Sequence, residues 1–241
     1  MQITKHHLAE ARAAALTHRY AGLPGEELLR PMIEDEFSGR LAVVSSFGAE
    51  SAVLLMLVAA VDPAVPVIFL ETGKHFPETL DYRDRLVDRL GLRDVRAVEP
   101  APRDLHAADA AGDLWQRNPD HCCRVRKVLP LQRALNGFEA WITGRKRFTG
   151  GERAGLQAIE AVDGRVKINP LAAWPAARIA AAFKEADLPR HPLVARGYLS
   201  IGCAPCTGRL DGRSDAVRSG RWAGTGKTEC GIHWPVDGEA G

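Results

Sequence analysis

Short, wholly apolar runs alternating with helical stretches constrain this chain more than any other feature. Leu41-Ala-Val-Val44 leads into the polar turn Ser45-Ser-Phe-Gly-Ala-Glu-Ser51 and then a wholly apolar helix over Ala52 to Ala60. The unit repeats: Val65 to Leu70 reads as a strand, Glu71-Thr-Gly-Lys74 as a turn, and Pro77 to Leu90 as an amphipathic helix stopped by Gly91. Val95 to Val98 and Ala140 to Thr143 read as further buried strands. Strands apolar on both faces need helices on both sides, so the pattern predicts an α/β fold with a doubly wound parallel sheet. Ligands of such sheets sit beyond the strand C-termini, where the turns at 45–51, 71–75 and 144–153 all fall.

Either side of this core the pattern changes. His6 to Tyr20 is alanine-rich and helical, and Pro24 with Glu26, Glu27, Leu28 and Leu29 reads as a second helix start. Residues 1–38 are therefore expected to form an N-terminal helical segment, a cap or interface, and 39–189 the nucleotide-binding α/β domain. Within the latter, Ala158 to Asn169, broken by Asp163-Gly164, reads as a hairpin and Pro175 to Ala186 as a helix. Beyond Pro189 the chain is rich in Gly, Pro and Arg and almost aperiodic, so 190–241 is expected to be an irregular C-terminal segment with a mobile tail.

The composition, 46% hydrophobic and 26% charged over 241 residues, excludes disorder, collagen and coiled coil. A net charge of +2 gives no global pull toward nucleic acid or an anionic membrane, so any anion site must be local. The longest apolar stretch, Ala52 to Val61, is about half a membrane span, and the first residues do not read as a signal peptide, which points to the cytoplasm. Five cysteines are too few, and odd, for a disulfide framework.

The turn containing Ser45, Ser46, Gly48 and Ser51 offers hydroxyls, backbone N–H groups and a positive helix end, the apparatus for holding phosphate. It lacks the Gly-Lys-Ser/Thr ending of a Walker loop, which suggests a nucleotide not handled as a magnesium triphosphate. Cys122-Cys123 and Cys203-Ala-Pro-Cys206 supply four thiolates, enough for zinc or an iron–sulfur cluster. Adjacency favours the cluster, since neighbouring thiolates can reach different irons, whereas zinc pairs are usually spaced. Cys230, 11 residues from the end, reads as a nucleophile able to swing into a pocket, with Lys227 and His233 placed to lower its pKa. Arg124, Arg126 and Lys127, then Arg145, Lys146, Arg147 and Arg153, then Arg218 and Arg221 bring cations from separate loops toward one edge, as a multiply charged anion requires.

Together these residues resemble the assimilatory adenylyl-sulfate and phosphoadenylyl-sulfate reductases, in their iron–sulfur-containing branch. The resemblance runs from about Leu41 to His233, through Ser45–Ser51, Phe69–Lys74 with Phe76–Thr79, Cys122–Lys127, Trp141–Arg145, Lys167–Leu171, Gly197–Thr207, Gly220–Trp222 and Glu229–His233. Each piece is modest, but the ordered set is specific. It implies a sheet of the adenine-nucleotide α-hydrolase-like type and adenosine 5′-phosphosulfate (APS) as substrate. Ser45, Ser46, Gly48, Glu50, Ser51, Thr72, Gly73, Gly144, Arg145, Arg153, Arg218 and Arg221 would bind it. The resemblance makes Cys230, Lys127 and His233 catalytic: Cys230 becomes an S-sulfocysteine as AMP leaves, and thioredoxin or glutaredoxin then releases sulfite. Lys127, Arg153, Arg218 and Arg221 would offset the repulsion between thiolate and sulfate. It also assigns Cys122, Cys123, Cys203 and Cys206 to one 4Fe-4S cluster per chain, with structural and electrostatic roles.

After Gly144 many relatives read Asp-Gln-Ser, whereas here Arg145-Lys-Arg-Phe-Thr-Gly-Gly-Glu-Arg153 follows, cations that would admit the 3′-phosphate of phosphoadenosine phosphosulfate (PAPS). A rival reading is an ATP-dependent adenylating enzyme of the tRNA-thiolating type, but Phe47 and Glu50 break its Ser-Gly-Gly-x-Asp-Ser loop. A zinc module binding nucleic acid accounts for the cysteines and arginines but not for the sheet or Cys230. Homo-oligomerisation is left open.

Overall fold

The computed structural model describes residues 2–210 and 217–233; positions 211–216 and 234–241 of the expected C-terminal segment lie outside the described residues. Six strands form one sheet: β1 (Leu41–Val44), β2 (Val67–Leu70), β3 (Val95–Val98), β4 (Ala140–Thr143), β5 (Ile159–Val162) and β6 (Arg165–Ile168), in the order β3-β2-β1-β4-β6-β5. β3, β2, β1, β4 and β6 are parallel neighbours, and β5 runs antiparallel to β6. The expected α/β doubly wound sheet is present, with one antiparallel edge supplied by the hairpin. Asp163 (φ 50°) and Gly164 (φ 69°) both adopt the left-handed conformation that a two-residue hairpin turn of this twist requires.

Two readings change. β3 is not a buried strand: Arg96 and Ala97 are exposed, because β3 pairs only with β2 and ends the sheet. β2 begins at Val67 rather than Val65; Pro66 lacks a ladder donor and contributes only its carbonyl, to Val43 N–H at 2.8 Å.

The helix Ser51–Val61 buries Ala52, Val53, Leu54, Leu55 and Val58 in the larger core cluster, which also takes in Leu28, Leu29 and Met32, and Ile179, Ala182 and Phe183 of the helix Ala176–Glu185. A second cluster of Ala42, Val44, Ile68, Leu70, Leu131, Leu135 and Trp141 receives Ile232 from the C-terminal segment. The N-terminal helix Gln2–Arg19 packs on β5 and β6 and sends Ala13 and Leu16 into the larger cluster. The helix expected from Pro24 is a winding run of 3₁₀, α and π turns over Gly25–Glu36. Its buried Glu36 accepts hydrogen bonds from Arg12 (2.7 Å), Arg19 (2.5 Å) and Tyr20 (2.9 Å). Gly91 (φ 63°) ends the helix Pro77–Leu90 in the left-handed conformation, as expected.

β1 and β4 are adjacent, yet the chain leaves them in opposite directions across the sheet, so their loops part and open a crevice. The described C-terminal residues cross this edge in 3₁₀ turns, Pro192–Arg196 and Ala204–Cys206, and one bridge, Thr207 with Arg221.

Candidate active site

The crevice is a cleft of about 210 Å³. Its floor is the turn after β1. Phe47 (φ 47°) bends the chain back while its N–H donates to Ser45 Oγ (3.2 Å), and a Cβ at Gly48 would lie 2.9 Å from the Ile201 carbonyl. Glycine is therefore required by close approach of the C-terminal segment. Glu50, which precedes the helix Ser51–Val61, makes no capping bond; its carboxylate meets buried Lys146 at 2.8 Å. The first N–H of that helix, on Ser51, turns back to the Gly48 carbonyl (3.2 Å), so an anion here would meet the N–H groups that follow it.

Of the expected substrate-binding residues, Ser45, Ser46, Gly48, Glu50, Ser51, Gly144, Arg145, Arg153, Arg218 and Arg221 line the cleft, together with Lys127, Cys230 and His233. Thr72 and Gly73 do not. Thr72 is fully buried with its hydroxyl 3.3 Å from Cys203 Sγ and its carbonyl accepting from Arg126 (2.6 Å), while Gly73 (φ 66°) makes the tight turn beside it. Both belong to the scaffold of the cysteines.

Cys122 and Cys123 end the short helix Pro119–Cys123, capped by Asn118 accepting from His121 N–H at 2.9 Å. The chain continues as a π-turn, Arg124–Val128, an insertion that re-aims side chains and recurs at functional sites. Arg126 is clamped by buried Asp109 (2.6 Å). On the facing segment Thr207 Oγ1 donates to the Cys203 carbonyl (2.8 Å), and Arg221 and the Trp222 N–H both donate to the Cys206 carbonyl at 3.1 Å. Burial pushes the Cys122 thiol up and the Cys123 thiol up to about 12. At Cys203 burial is outweighed by Lys127 and Thr72, which bring its pKa down. Lys127 is itself enclosed, and Cys203, Cys123 and Cys230 overcome burial and hold its ammonium charged. A buried cation ringed by sulfur fits an anionic metal–thiolate centre held by Cys122, Cys123, Cys203 and Cys206.

Cys230 shares the cleft with this lysine and helps keep it charged. Its Sγ, a Glu229 carboxylate oxygen and a His233 ring nitrogen lie within 4.8 Å of one another. Arg145, Arg153, Arg218 and Lys167 surround the trio, an environment for an anion rather than for a metal cation. His233 stacks on Trp141 (5.9 Å, 3° between planes), with Lys167 Nζ 5.1 Å from the centre of the same indole. Burial and those cations hold His233 well below the usual imidazole range, so it is neutral and offers the Cys230 thiol no positive charge. Lys227 is also diverted, into an ion pair with Asp120. Of the two activators expected from the sequence, His233 brings no charge and Lys227 is paired with Asp120; Lys127, Arg145 and Arg218 also bring positive charge to the thiol. Burial and neighbouring Arg153 lower Arg218 to about 10.

Sequence reasoning missed three residues. Glu229 was only part of a motif, yet its buried carboxylate takes Arg153 in a two-point pair (2.5 and 3.1 Å) and lies 3.2 Å from Arg218. Lys167 is fully buried 2.9 Å from Glu160, and burial lowers it to about 8. Lys146 was one of several loop cations; only its burial against Glu50 sets it apart.

Residues 40–209 match the phosphoadenosine phosphosulfate reductase domain. The chain is 51% identical to the adenosine 5′-phosphosulfate reductase of Mesorhizobium japonicum, over 92% of this chain and 87% of that one. It is 50% identical to the adenosine 5′-phosphosulfate reductase of a Chelativorans species, over 94% and 93%. Among solved structures, the phosphoadenylyl-sulfate reductase of Candida auris, in a phosphate complex, superposes with a TM-score of 0.69 at 28% identity, covering 81% of this chain and 96% of that one. With the cleft, the cysteines and these relatives in agreement, the chain belongs to the phosphoadenosine phosphosulfate reductase family and is an oxidoreductase acting on a sulfur group.

Proposed function

We propose that the protein reduces APS to sulfite and AMP through an S-sulfocysteine on Cys230. The observation that carries this reading is the Cys230 thiol docked in the cationic cleft at the β1/β4 crevice, beside the turn suited to a nucleotide's phosphate. The Cys230 thiolate attacks the sulfur of the sulfate, the bond from that sulfur to the bridging oxygen breaks, and AMP leaves with the electron pair. A reduced dithiol partner of thioredoxin or glutaredoxin type attacks Cys230 Sγ, sulfite departs, and the partner's second thiol resolves the mixed disulfide; the dithiol supplies both electrons. Lys127, Arg145, Arg153 and Arg218 offset the charge that gathers as two anions meet. Neutral His233 holds the tail against Trp141, and its buried Nδ1, without a partner among the described residues, is free to hydrogen-bond the substrate without changing charge.

Cys122, Cys123, Cys203 and Cys206 would hold a 4Fe-4S cluster, which supplies a fixed anionic field to Lys127 and ties together segments far apart in sequence. Their spacing supports a cluster over a single zinc. Adjacent Cys122 and Cys123 can reach different irons of one cluster, whereas the paired ligands of a single zinc are usually spaced in sequence.

APS is favoured over PAPS because two of the additional loop cations are held elsewhere: Lys146 pairs with Glu50, and Arg147 donates to the Leu156 carbonyl at 2.7 Å. No helix among the described residues is long and apolar enough to cross a membrane, and a cytoplasmic reductase is the reading we adopt. The experiment is sulfite release by anaerobically purified protein with reduced thioredoxin, given APS and PAPS in parallel, beside iron and sulfide analysis. Preference for APS with about four irons per chain is expected; absence of sulfite from both substrates in cluster-replete protein overturns the reading.

A further inference from the structure

The residue before the nucleophile is a carboxylate aimed into a site built for an anion. Glu229 is nearly buried, and its oxygens engage Arg153 at 2.5 and 3.1 Å and Arg218 at 3.2 Å. Both arginines line the cleft. The neighbouring bonds belong to the same latch: Arg218 also donates to the Thr228 carbonyl (2.8 Å), and the Thr228 hydroxyl donates to Glu152 (2.7 Å). A planar carboxylate taking a guanidinium at two points is the geometry by which arginine also recognises sulfate and phosphate.

We propose that Glu229 is an internal stand-in for the substrate's anionic group, seating the Cys230 tail by occupying Arg153 and Arg218 until an incoming sulfate- or phosphate-bearing ligand takes the arginines over. The two anions cannot share these cations without repulsion, so the Glu229 carboxylate swings out as the ligand enters, which loosens the tail while Cys230 stays in the cleft beside Lys127. Only the ligand's identity rests on the function proposed above. Glu229 is thus a positioning residue: it keeps the thiol near Lys127 while the cleft is vacant, and its displacement couples substrate arrival to movement of the nucleophile. Apparent affinity is lowered by the fraction of molecules in which the carboxylate holds the site.

The test compares the cluster-loaded full chain with its Glu229→Gln and Glu229→Asp variants. Alkylation of Cys230 by iodoacetamide, read on its own peptide by mass spectrometry, is followed against inorganic sulfate. In the unaltered protein sulfate should accelerate alkylation. In Glu229→Gln alkylation should be about tenfold faster without sulfate and insensitive to it, while KM for APS falls about tenfold and kcat falls as well. Glu229→Asp should restore the sulfate dependence. Equal alkylation rates in the unaltered and Glu229→Gln proteins, or a KM that rises in Glu229→Gln, would overturn the proposal. If no sulfite forms from APS, the functional reading fails, and the alkylation rates still decide the exchange.

Discussion

At Lys127 a full positive charge is held out of water, with Cys203, Cys123 and Cys230 near enough to keep it charged. Removing it should leave in place the four thiols proposed to hold the cluster but strip positive charge from beside the proposed nucleophile. Lys127→Ala is expected to keep the cluster absorbance and lose about 3 kcal/mol of transition-state stabilisation, about a hundredfold in kcat. Near-normal turnover would remove Lys127 from the chemistry. Cys230→Ser should abolish sulfite production with unchanged absorbance, since that thiol is separate from the four assigned to the cluster. Sulfite formation by the serine variant would identify another nucleophile.

Between elements, buried polar contacts lock the C-terminal segment to the helix Pro77–Leu90. His191 accepts the Leu193 N–H on Nδ1 (3.2 Å), which leaves Nε2 as donor to the Thr79 hydroxyl (3.0 Å), and Tyr82 donates to the Pro189 carbonyl (2.7 Å). Burial lowers His191 to about 4. The unfolded chain therefore takes up a proton below about pH 6.5 that the folded chain refuses until about pH 4. Stability from this group is present above pH 6.5 and lost as pH falls through that window. Urea midpoints measured from pH 7 to pH 4 should fall more steeply in the unaltered protein than in His191→Asn; parallel curves would show that His191 does not report on this junction.

Across the whole molecule, the N-terminal helix shares the main core instead of standing apart as a cap. Leu16 is 2% exposed within the larger cluster, while Arg12, Arg19 and Tyr20 converge on Glu36. Leu16→Ala is expected to lower global unfolding stability by about 3 kcal/mol, seen as one shifted urea transition. A separate early transition, with the main one unmoved, would mean that the helix melts independently of the sheet.

Features written in local chemistry were legible from the sequence: the β–α alternation, the Gly91 helix stop, the Asp163-Gly164 hairpin and the polar turn that follows the first strand. Each depends on residues within a few positions, so spacing and residue type suffice. What the tertiary structure decided depends on partners far away in the chain. Val95–Val98 has the composition of an interior strand and became an edge because strand order, not composition, determines who pairs with whom. Thr72 has the residue type of a ligand turn, but its buried hydroxyl meets Cys203, 131 residues further on. Glu229 and Arg153 are 76 residues apart, and nothing local distinguishes a solvated glutamate from one holding two arginines in a cleft. Charge state followed the same division, because burial and neighbours are properties of the folded chain: they left His233 neutral and Lys127 charged.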